Sequence, residues 1–331
     1  MKKILVTGFA GFIGSNLVKQ LRRDYQVVAV DNFTDFSNSA IKQARAQNLG
    51  YNPQATGDEH GVTFLNADIC DAGSLRKIFE AHQFDVIIHL AALTGVRQSL
   101  ENPQAYIEVN VSGFLNVLEC AKVYSVKNVI YASSSSVYGL NDEVPYTETQ
   151  KTDSPISVYA ASKKANELLA HTYAHLFGIN LTGLRFFTVY GEWTRPDMAA
   201  YIFMKAIYDE SPIKLFNEGR MIRDFTHVDD VVRVIQLLIT KLEEERKIGH
   251  RIFNVGNHSP IFTAQFLSAI ENAMDKKAVI ENEPAQPGDM AATNASAHAI
   301  YDYIGFKPDT KIEKGVQKMV DWFLSYYPPR S

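Results

Sequence analysis

The chain has 331 residues, about twice the ~150-residue prior for one domain, which indicates one large α/β unit or two closely associated domains. Its composition, 46% hydrophobic and 21% charged, excludes collagen-like, disordered and disulfide-scaffold classes. With 33 basic and 37 acidic residues and a formal charge of −4, the surface does not attract a polyanion, so we expect no nucleic-acid partner.

Short β-branched runs alternate with amphipathic helical stretches through the first 187 residues. This alternation is typical of crossover units on a parallel sheet buried on both faces. It predicts an α/β fold, a doubly wound parallel sheet of the Rossmann type with six or more strands. We predict strands at 4–7, 26–30, 62–66, 86–90, 128–132 and 180–186, and helices at 12–23, 74–82, 105–124 and 158–177. The polar stretch 38–61 has no strong periodicity and is interpreted as a surface excursion.

After about residue 187 the alternation gives way to shorter elements separated by prolines, which indicates a second, smaller α/β lobe. The helical pattern at 228–241 and the strand-like run at 251–255 are expected to return to the main sheet. We therefore predict a first domain of residues 1–187, rejoined by about 228–257, and a second lobe made of 188–227 and 258–331.

Neither the cysteines nor the N-terminal stretch indicates an exported or membrane protein. Cys70 and Cys120 match neither a disulfide framework nor a zinc-ligand spacing, which predicts reduced thiols in the cytoplasm. Glycines interrupt the apolar start long before the ~20 residues that a membrane span requires. We expect a soluble, unprocessed protein without a membrane partner.

Three glycines follow the first predicted strand and open the first predicted helix. Gly8, Gly11 and Gly14 would let the backbone approach a pyrophosphate that faces the helix N-terminus. Asp31 ends the next strand, 23 residues after Gly8, where a carboxylate accepts hydrogen bonds from an adenosine ribose. Because Asn32 and Phe33 supply no cation for a 2′-phosphate, this spacing predicts NAD as the cofactor in preference to NADP.

Tyr159 and Lys163 are spaced i and i+4 on a predicted helix and therefore share one face. An ammonium close to a phenol favours the phenolate, which can act as a base. Alone, this pair would be read as a solvated helix face. With a dinucleotide fingerprint upstream and the hydroxyls of Ser133 to Ser136 ending the preceding strand, it predicts proton transfer at a carbon that loses hydride.

In these features the chain resembles the extended short-chain dehydrogenase/reductases that act on nucleotide sugars. The matching segments span nearly the whole chain and are 7–14, 68–69, 89–92, 102–103 with Tyr106 and Asn110, 135–139, Tyr159 with Lys163, 223–225 and 227–230. The resemblance implies that the second lobe binds a UDP-sugar. It also implies a homodimer in which helices 105–124 and 158–177 pair with their mates in a four-helix bundle.

The fingerprint and the resemblance together predict three groups of site residues. The cofactor residues are Gly8, Gly11, Phe12, Ile13, Gly14, Asp31, Asn32, Asp68, Ile69, Leu90, Ala91, Ala92, Asn110, Tyr159 and Lys163. The catalytic residues are Tyr159, Lys163 and Ser134. The substrate residues are Arg97, Ser135, Ser136, Thr188, Arg195, Phe216, Arg223 and Asp289.

The residues after Ser134 decide between the reactions of this family. Related 4,6-dehydratases carry an Asp-Glu pair where this chain has Ser135 and Ser136, and UDP-glucuronate decarboxylases carry a Glu at the second position. Elimination of water requires an acid and a base besides the tyrosine. Without these carboxylates, the remaining chemistry is oxidation at C4 and return of the hydride, which is epimerisation.

Three further stretches resemble the branch that epimerises UDP-glucuronate to UDP-galacturonate, namely 95–97, 185–191 with 195–199, and 286–289. Arg195 offers a five-donor fork suited to a carboxylate, although an ion pair with Asp197 is the alternative interpretation. Arg223 is expected on the substrate diphosphate, with an ion pair to Asp224 or Asp229 as its alternative. The chain departs from the branch at Thr194 and Ser296, where Gly and Asp are usual.

Two other functions remain open on the sequence. An epimerase of a neutral UDP-hexose or UDP-N-acetylhexosamine would share every cofactor and catalytic residue. A non-enzymatic NAD-sensing regulator would bind the cofactor without turnover, which the intact catalytic residues disfavour. His89 and His227 are interpreted as structural histidines, and no sequence spacing indicates a metal site.

Overall fold

The computed structural model describes residues 1–34, 39–53, 58–59, 61–245, 248–284 and 292–327. Two compact units are present. The first comprises Met1–Asp142, Glu148–Phe186 and Ile235–Phe253, and the second comprises Glu143–Thr147, Phe187–Val234 and Asn254–Ser331. The first unit thus resumes over a narrower stretch than the 228–257 expected from the sequence. The helical pattern that begins at Val228 is continuous, so it carries no signal at residue 235.

The strands are β1 (Lys3–Thr7), β2 (Gln26–Asp31), β3 (Asp58–Glu59), β4 (Val62–Asn66), β5 (Val86–His89), β6 (Asn128–Ser134), β7 (Asn180–Phe186), β8 (Thr188–Tyr190), β9 (Pro212–Phe216), β10 (Ile222–Arg223), β11 (Phe225–His227), β12 (His250–Val255), β13 (Ile261–Phe262) and β14 (Val279–Glu283). The α-helices are α1 (Phe12–Leu21), α2 (Ser39–Asn48), α3 (Ala72–Ala81), α4 (Val96–Glu101), α5 (Pro103–Tyr106), α6 (Gly113–Val123), α7 (Val158–Phe177), α8 (Ala199–Asp209), α9 (Val228–Glu244), α10 (Thr263–Met274), α11 (His298–Ile304) and α12 (Ile312–Tyr326).

The central sheet has the strand order β12-β7-β6-β5-β1-β2-β4-β3. Adjacent strands from β7 through β4 pair in parallel, while β3 pairs antiparallel with β4. The register sets Thr7 beside both Val30 and His89, so the carboxyl ends of β1, β2 and β5 meet at one edge. In an open α/β sheet this edge is where ligands bind. The predicted doubly wound Rossmann fold is confirmed.

Apolar residues of the sheet are buried under α3, α6 and α7. Leu5, Ile87 and Val129 of the strands join one core with Phe79 and Phe114 of the helices. Burial of such side chains contributes about 1.5–3 kcal/mol each, so this core stabilises the packing of the three helices on the sheet. Among the described residues, no helix is long and apolar enough to cross a membrane.

Two expectations for secondary structure are corrected. The stretch 38–61 is not only a surface excursion, because α2 lies within it and buries Ile41, Arg45 and Ala46. Its buried face includes charged side chains, so apolar periodicity could not reveal it. The single helix expected at 105–124 is interrupted by a π-helical stretch, Ile107–Ser112, between α5 and α6. Such π-bulges are frequent at functional sites.

The second unit is built from strand pairs and helices. Strands β8 and β11 are parallel, β9 and β14 are parallel, and β10 and β13 are antiparallel. Between β10 and β11, the fully buried Asp224 carboxylate accepts backbone N–H groups of Asn257 (2.7 Å), His258 (3.1 Å) and Ala295 (2.9 Å). Burial outweighs these hydrogen bonds and raises the pKa of Asp224 to about 6. One side chain therefore ties three segments of this unit together.

Candidate active site

The glycine turn after β1 is closed on both sides by backbone. Gly8 has a φ of +79°, and a Cβ there would lie 2.6 Å from the Ala91 nitrogen. A Cβ on Gly14 would lie 2.2 Å from the Gly8 carbonyl oxygen. Helix α1 starts at Phe12, after Gly11 in an extended conformation. No side chain caps this end, so the backbone N–H groups provide the polar surface at the helix N-terminus. Ile13 lies in the first turn and is partly exposed. This turn fits the pyrophosphate of a dinucleotide.

Asp31 closes β2 beside this turn. Its buried carboxylate accepts the backbone N–H groups of Ala10 (3.1 Å) and Phe33 (2.9 Å) and the Lys42 ammonium (3.2 Å). Arg45, one turn after Lys42 on α2, donates to the Ala10 carbonyl at 3.2 Å. Sequence reasoning missed both cations. They lie outside the immediate neighbourhood of Asp31, and only the packing of α2 brings them to it.

The loops after β2 and β4 are joined by a hydrogen bond from the Asn32 amide to Asp68 (2.9 Å). Asp68 also accepts the backbone N–H of Cys70 at 2.8 Å. Burial works against ionisation here, but these hydrogen bonds outweigh it and lower the pKa of Asp68. Ile69 is buried, and its carbonyl accepts the Asn116 amide at 3.0 Å. The structure thus brings Asn32, Asp68 and Ile69 to the same end of the sheet as Asp31.

Leu90, Ala91 and Ala92 follow β5 and are partly buried. The Ala91 backbone N–H reaches the Thr7 hydroxyl at 3.4 Å, and His89 Nδ1 lies 2.9 Å from the same oxygen. Burial lowers the pKa of His89 to about 3, so this histidine is neutral. It packs as a structural residue against the strand end.

Asn110 lies within the π-helical stretch and is fully buried. Its amide both accepts from the Leu93 N–H (2.7 Å) and donates to the Leu93 carbonyl (3.0 Å). It also donates to the Ser162 hydroxyl on α7 at 3.0 Å. Asn110 therefore connects the segment after β5 to the helix that carries Tyr159 and Lys163.

Helix α7 presents Tyr159 in its first turn, after Ser157 caps the helix by accepting the Ala160 N–H at 3.1 Å. The Tyr159 ring is partly buried and packs edge-on to Tyr106, with centroids 6.2 Å apart. Lys163, one turn later, is buried and donates to the Ala132 carbonyl of β6 at 3.0 Å. Desolvation lowers the pKa of Lys163 to about 8.

Ser134 ends β6 two residues after that carbonyl. Its hydroxyl accepts the backbone N–H of Ser136 at 3.2 Å and donates to the Ser136 hydroxyl at 3.2 Å. Ser135 and Ser136 open the short 3₁₀ turn that follows and are partly buried. The catalytic residues expected from the sequence thus lie on two elements, β6 and α7, that Lys163 joins directly.

The predicted substrate residues lie in both units. Arg97 is exposed on α4 of the first unit. In the second unit, Thr188 begins β8 and its N–H donates to the Asp224 carbonyl at 3.2 Å, and Phe216 ends β9. Asp289, with the neighbouring 286–288, lies outside the described residues.

Arg223 lies on β10 and donates from Nη1 to the Ile222 carbonyl at 2.9 Å. The two carboxylates that the sequence offered as alternative partners are engaged by other groups. Asp224 accepts the backbone N–H groups described above, and Asp229 pairs with the Lys318 ammonium at 2.7 Å.

Arg195 forms the ion pair that the sequence raised as the alternative interpretation. Its Nε donates to Asp197 Oδ1 at 2.9 Å, and its Nη2 contacts Asp197 Oδ2, which is a bidentate contact. The same loop carries Trp193 in a left-handed backbone conformation, with a φ of +64°. The Trp193 ring packs on Trp322, with centroids 5.1 Å apart. The loop is therefore held by aromatic packing on one side of Arg195.

Glu192, His227 and Asp229 place side-chain ligand atoms within 4.8 Å of one another. His227 Nδ1 accepts the backbone N–H of Asp229 at 3.2 Å, and its Nε2 lies 3.4 Å from Glu192. Because the Lys318 ammonium already pairs with Asp229, a positive charge is present at this cluster without a metal ion.

Comparisons with known proteins agree with this arrangement. The NAD dependent epimerase/dehydratase family matches residues 4–256. Protein CapI of Staphylococcus aureus is 43% identical, over 98% of this chain and 99% of the relative. UDP-glucuronate 4-epimerase 4 of Arabidopsis thaliana is 41% identical, over 98% of this chain and 76% of the relative.

Among the similar solved structures are two that each match over 98% of this chain. The UDP-glucuronic acid 4-epimerase from Bacillus cereus, in complex with UDP-glucuronic acid and NAD, has a TM-score of 0.87, 31% identity and 100% coverage of its own chain. The UDP-N-acetylglucosamine 4-epimerase from Methanobrevibacter ruminantium M1, in complex with UDP-N-acetylmuramic acid, has a TM-score of 0.85, 28% identity and 99% coverage.

Proposed function

Because the chain belongs to the NAD dependent epimerase/dehydratase family, with NAD as its cofactor, we propose that it epimerises UDP-glucuronate at C4 to UDP-galacturonate. The observation that carries the reaction type is the turn after β6. Ser135 and Ser136 place hydroxyls there, where dehydratases and decarboxylases of the resembled family use carboxylates. The uronate is supported by the Arabidopsis relatives and by the UDP-glucuronic acid 4-epimerase from Bacillus cereus.

The residues of the first unit suit NAD. The glycine turn and the α1 N-terminus would hold the pyrophosphate, and Asp31 would accept the adenosine ribose hydroxyls. Asn32, Asp68 and Ile69 would flank the adenine, and Leu90 to Ala92 with Asn110 would line the way to the nicotinamide. When bound, NAD supplies the acceptor and donor for the hydride of C4.

The chain itself moves and holds a proton. In the proposed mechanism, the Tyr159 phenolate removes the proton of the sugar 4-hydroxyl while Ser134 orients that oxygen by a hydrogen bond. Lys163, buried one turn away, would bind the ribose and favour the phenolate by its charge. The 4-keto sugar then turns about its diphosphate, which Arg223 holds, and is reduced on its other face while Tyr159 returns the proton to the 4-oxygen. No net redox change occurs.

A uronate imposes a further requirement, because a ketone at C4 is β to the C6 carboxylate and favours loss of CO₂. Holding that carboxylate in a fixed orientation would keep the C5–C6 bond, which breaks when CO₂ is lost, out of line with the ketone π system. Thr188, Arg195 and the hydroxyls of the serine turn are the proposed contacts. Asp197 occupies the guanidinium fork of Arg195 in this structure, so Arg195 would have to exchange this partner for the uronate carboxylate.

Incubation of the purified protein with UDP-glucuronate, UDP-glucose and UDP-N-acetylglucosamine, followed by chromatographic resolution of the products, tests the substrate. We expect UDP-galacturonate as the main product. Faster conversion of a neutral sugar would replace the uronate with the second candidate, which the M. ruminantium neighbour represents. NAD released from denatured protein, with no turnover of any of these sugars, would favour the regulator instead.

The resemblance also predicts a homodimer, and exposed apolar side chains on α6 and α7 support it. Leu168 and Leu176, two helical turns apart on α7, are 59% and 62% exposed, and Val123 on α6 is 64% exposed. We expect Leu168→Asp to convert a dimer to a monomer in sedimentation analysis. Ile280→Asp, an equally drastic change at an exposed apolar residue of β14, is the control and should leave the dimer intact.

A further inference from the structure

A buried ion pair links α7, which carries Tyr159 and Lys163, to β7, the strand that pairs with β6. Arg185, near the end of β7, donates from Nε to Glu167 Oε1 (2.8 Å) and from Nη2 to Glu167 Oε2 (2.9 Å). Both residues are only 2% exposed. This is the bidentate arrangement in which a guanidinium fixes a carboxylate in orientation as well as in distance.

The same pair holds both ends of the serine turn. At one end, the Ser133 hydroxyl donates to Glu167 Oε1 at 2.7 Å. At the other, Arg185 Nη1 donates to the Tyr138 hydroxyl at 3.0 Å, and the guanidinium carbon lies 4.8 Å from the centre of the Tyr138 ring. Ser134, Ser135 and Ser136 lie between these two anchors. The side chains on either side of the turn are therefore held by one carboxylate and one guanidinium.

The network extends to the helix that bears the proposed base. Tyr159, Lys163 and Glu167 follow one another at intervals of four residues on α7 and so share one face. Lys163 donates a hydrogen bond to the Ala132 carbonyl, and Glu167 accepts one from the Ser133 hydroxyl. Ala132 and Ser133 are consecutive residues of β6. Two contacts thus hold α7 to the end of β6, and they set where Tyr159 lies relative to Ser134.

The contacts satisfy both carboxylate oxygens of Glu167. Glu167 receives two donors from Arg185, one from Ser133 and, at 3.3 Å, the Lys164 ammonium. Burial works against the charge of Glu167, but Arg185 outweighs it and lowers the pKa of that carboxyl. Buried ion pairs of this kind are often no more stable than well-packed apolar side chains of similar volume, so stability alone does not account for the pair.

We propose that Glu167 and Arg185 are positioning residues that fix the Ser134–Ser136 turn against Tyr159 for the proton transfer. This inference rests on the proposed epimerase function. In this proposal, Glu167 and Arg185 set the geometry of the reacting groups and do not bind NAD or the sugar. Misplacement of a reacting group by about 1 Å can cost up to roughly 100-fold in rate, so the pair should affect kcat far more than KM.

The test compares the doubly substituted Glu167→Met/Arg185→Met protein with the unmodified protein, both loaded with NAD. The double variant removes both charges together, so no unpaired charge stays buried. We expect a melting temperature within a few degrees of the unmodified protein, an unchanged content of NAD and a KM within about twofold. The kcat should fall by roughly 10- to 100-fold. A folded double variant with kcat within twofold of the unmodified protein would overturn the proposal.

Two single variants cover the case in which the double variant does not fold. Ser133→Ala and Tyr138→Phe each remove one anchor of the serine turn and leave the ion pair in place. Each should lower kcat several-fold without a change in KM. Tyr173→Phe is the matched control, because it removes another tyrosine hydroxyl that contacts a carboxylate, that of Glu119, far along α7 from the turn. Equal kcat values for all three variants would refute the positioning role.

These outcomes are separate from failure of the proposed function. An unmodified protein that converts no UDP-sugar would refute the epimerase function and the positioning role with it. An active unmodified protein whose variants keep full kcat would refute the positioning role alone.

Discussion

Arg195 and Asp197 allow the uronate proposal to be tested from both sides of one ion pair. Arg195→Ala removes the guanidinium, and Asp197→Asn removes the carboxylate that now occupies it. The pair lies on a partly exposed loop, where such a pair contributes about 0.2–1 kcal/mol to stability. Both variants should therefore stay folded, and differences in their activity report on the substrate.

The two changes should have opposite effects on UDP-glucuronate. A hydrogen-bonded contact to a charged group contributes about 1.5–3 kcal/mol, so its loss in Arg195→Ala should lower kcat/KM roughly 10- to 150-fold. Asp197→Asn removes the competing carboxylate, so KM for the uronate should stay equal or fall. For UDP-glucose, which has no carboxylate, any residual activity should change little in either variant.

Steady-state kinetics on both sugars, with products resolved by chromatography, measure these effects. If the carboxylate contact also protects the ketone, Arg195→Ala should release CO₂ and a UDP-pentose beside UDP-galacturonate. If the ion pair only stabilises the loop, both variants should lose activity to a similar extent on both sugars. That result, without a decarboxylated product, would refute the assignment of Arg195 to the uronate.

Three further predictions concern the first unit. Tyr159→Phe should keep the fold and bound NAD while lowering the turnover rate roughly 10²- to 10⁴-fold, so unchanged turnover would remove the tyrosine as the base. In a binding titration, Asp31→Ala should lower the affinity for NAD and reduce the preference for NAD over NADP. Equal binding of both cofactors by the unmodified protein would contradict the assignment of Asp31 to the ribose. Lys163 has its pKa lowered from 10.5 to about 8, so the unfolded chain binds more protons between these values and stability rises with pH there. Urea unfolding should be measured at pH 7 and at pH 10.5 for the unmodified protein and for Lys163→Met. Between these two pH values, the free energy of unfolding of the unmodified protein should rise by about 3 kcal/mol relative to that of the variant. A difference that stays constant with pH would count against the buried ammonium.

Features that depend on short spacing along the chain could be predicted from the amino-acid sequence. The glycines at 8, 11 and 14 are recognisable because the turn they form needs residues without a Cβ, and the structure shows the backbone contacts that a side chain would meet. Tyr159 and Lys163 lie on one face because helical spacing places them there wherever the helix lies. The fold class followed in the same way from alternating strand and helix periodicity, and it is confirmed.

Contacts that depend on strand register or on packing between distant segments could be identified only in the folded chain. Ser133 and Arg185 are 52 positions apart in the chain, yet they are register partners in β6 and β7, and both reach Glu167 on α7. Lys42 meets Asp31 because α2 packs on the glycine turn, although the polarity of that segment suggested a surface excursion. Charged side chains buried by pairing give no apolar period, so their partners become visible only when the chain is folded.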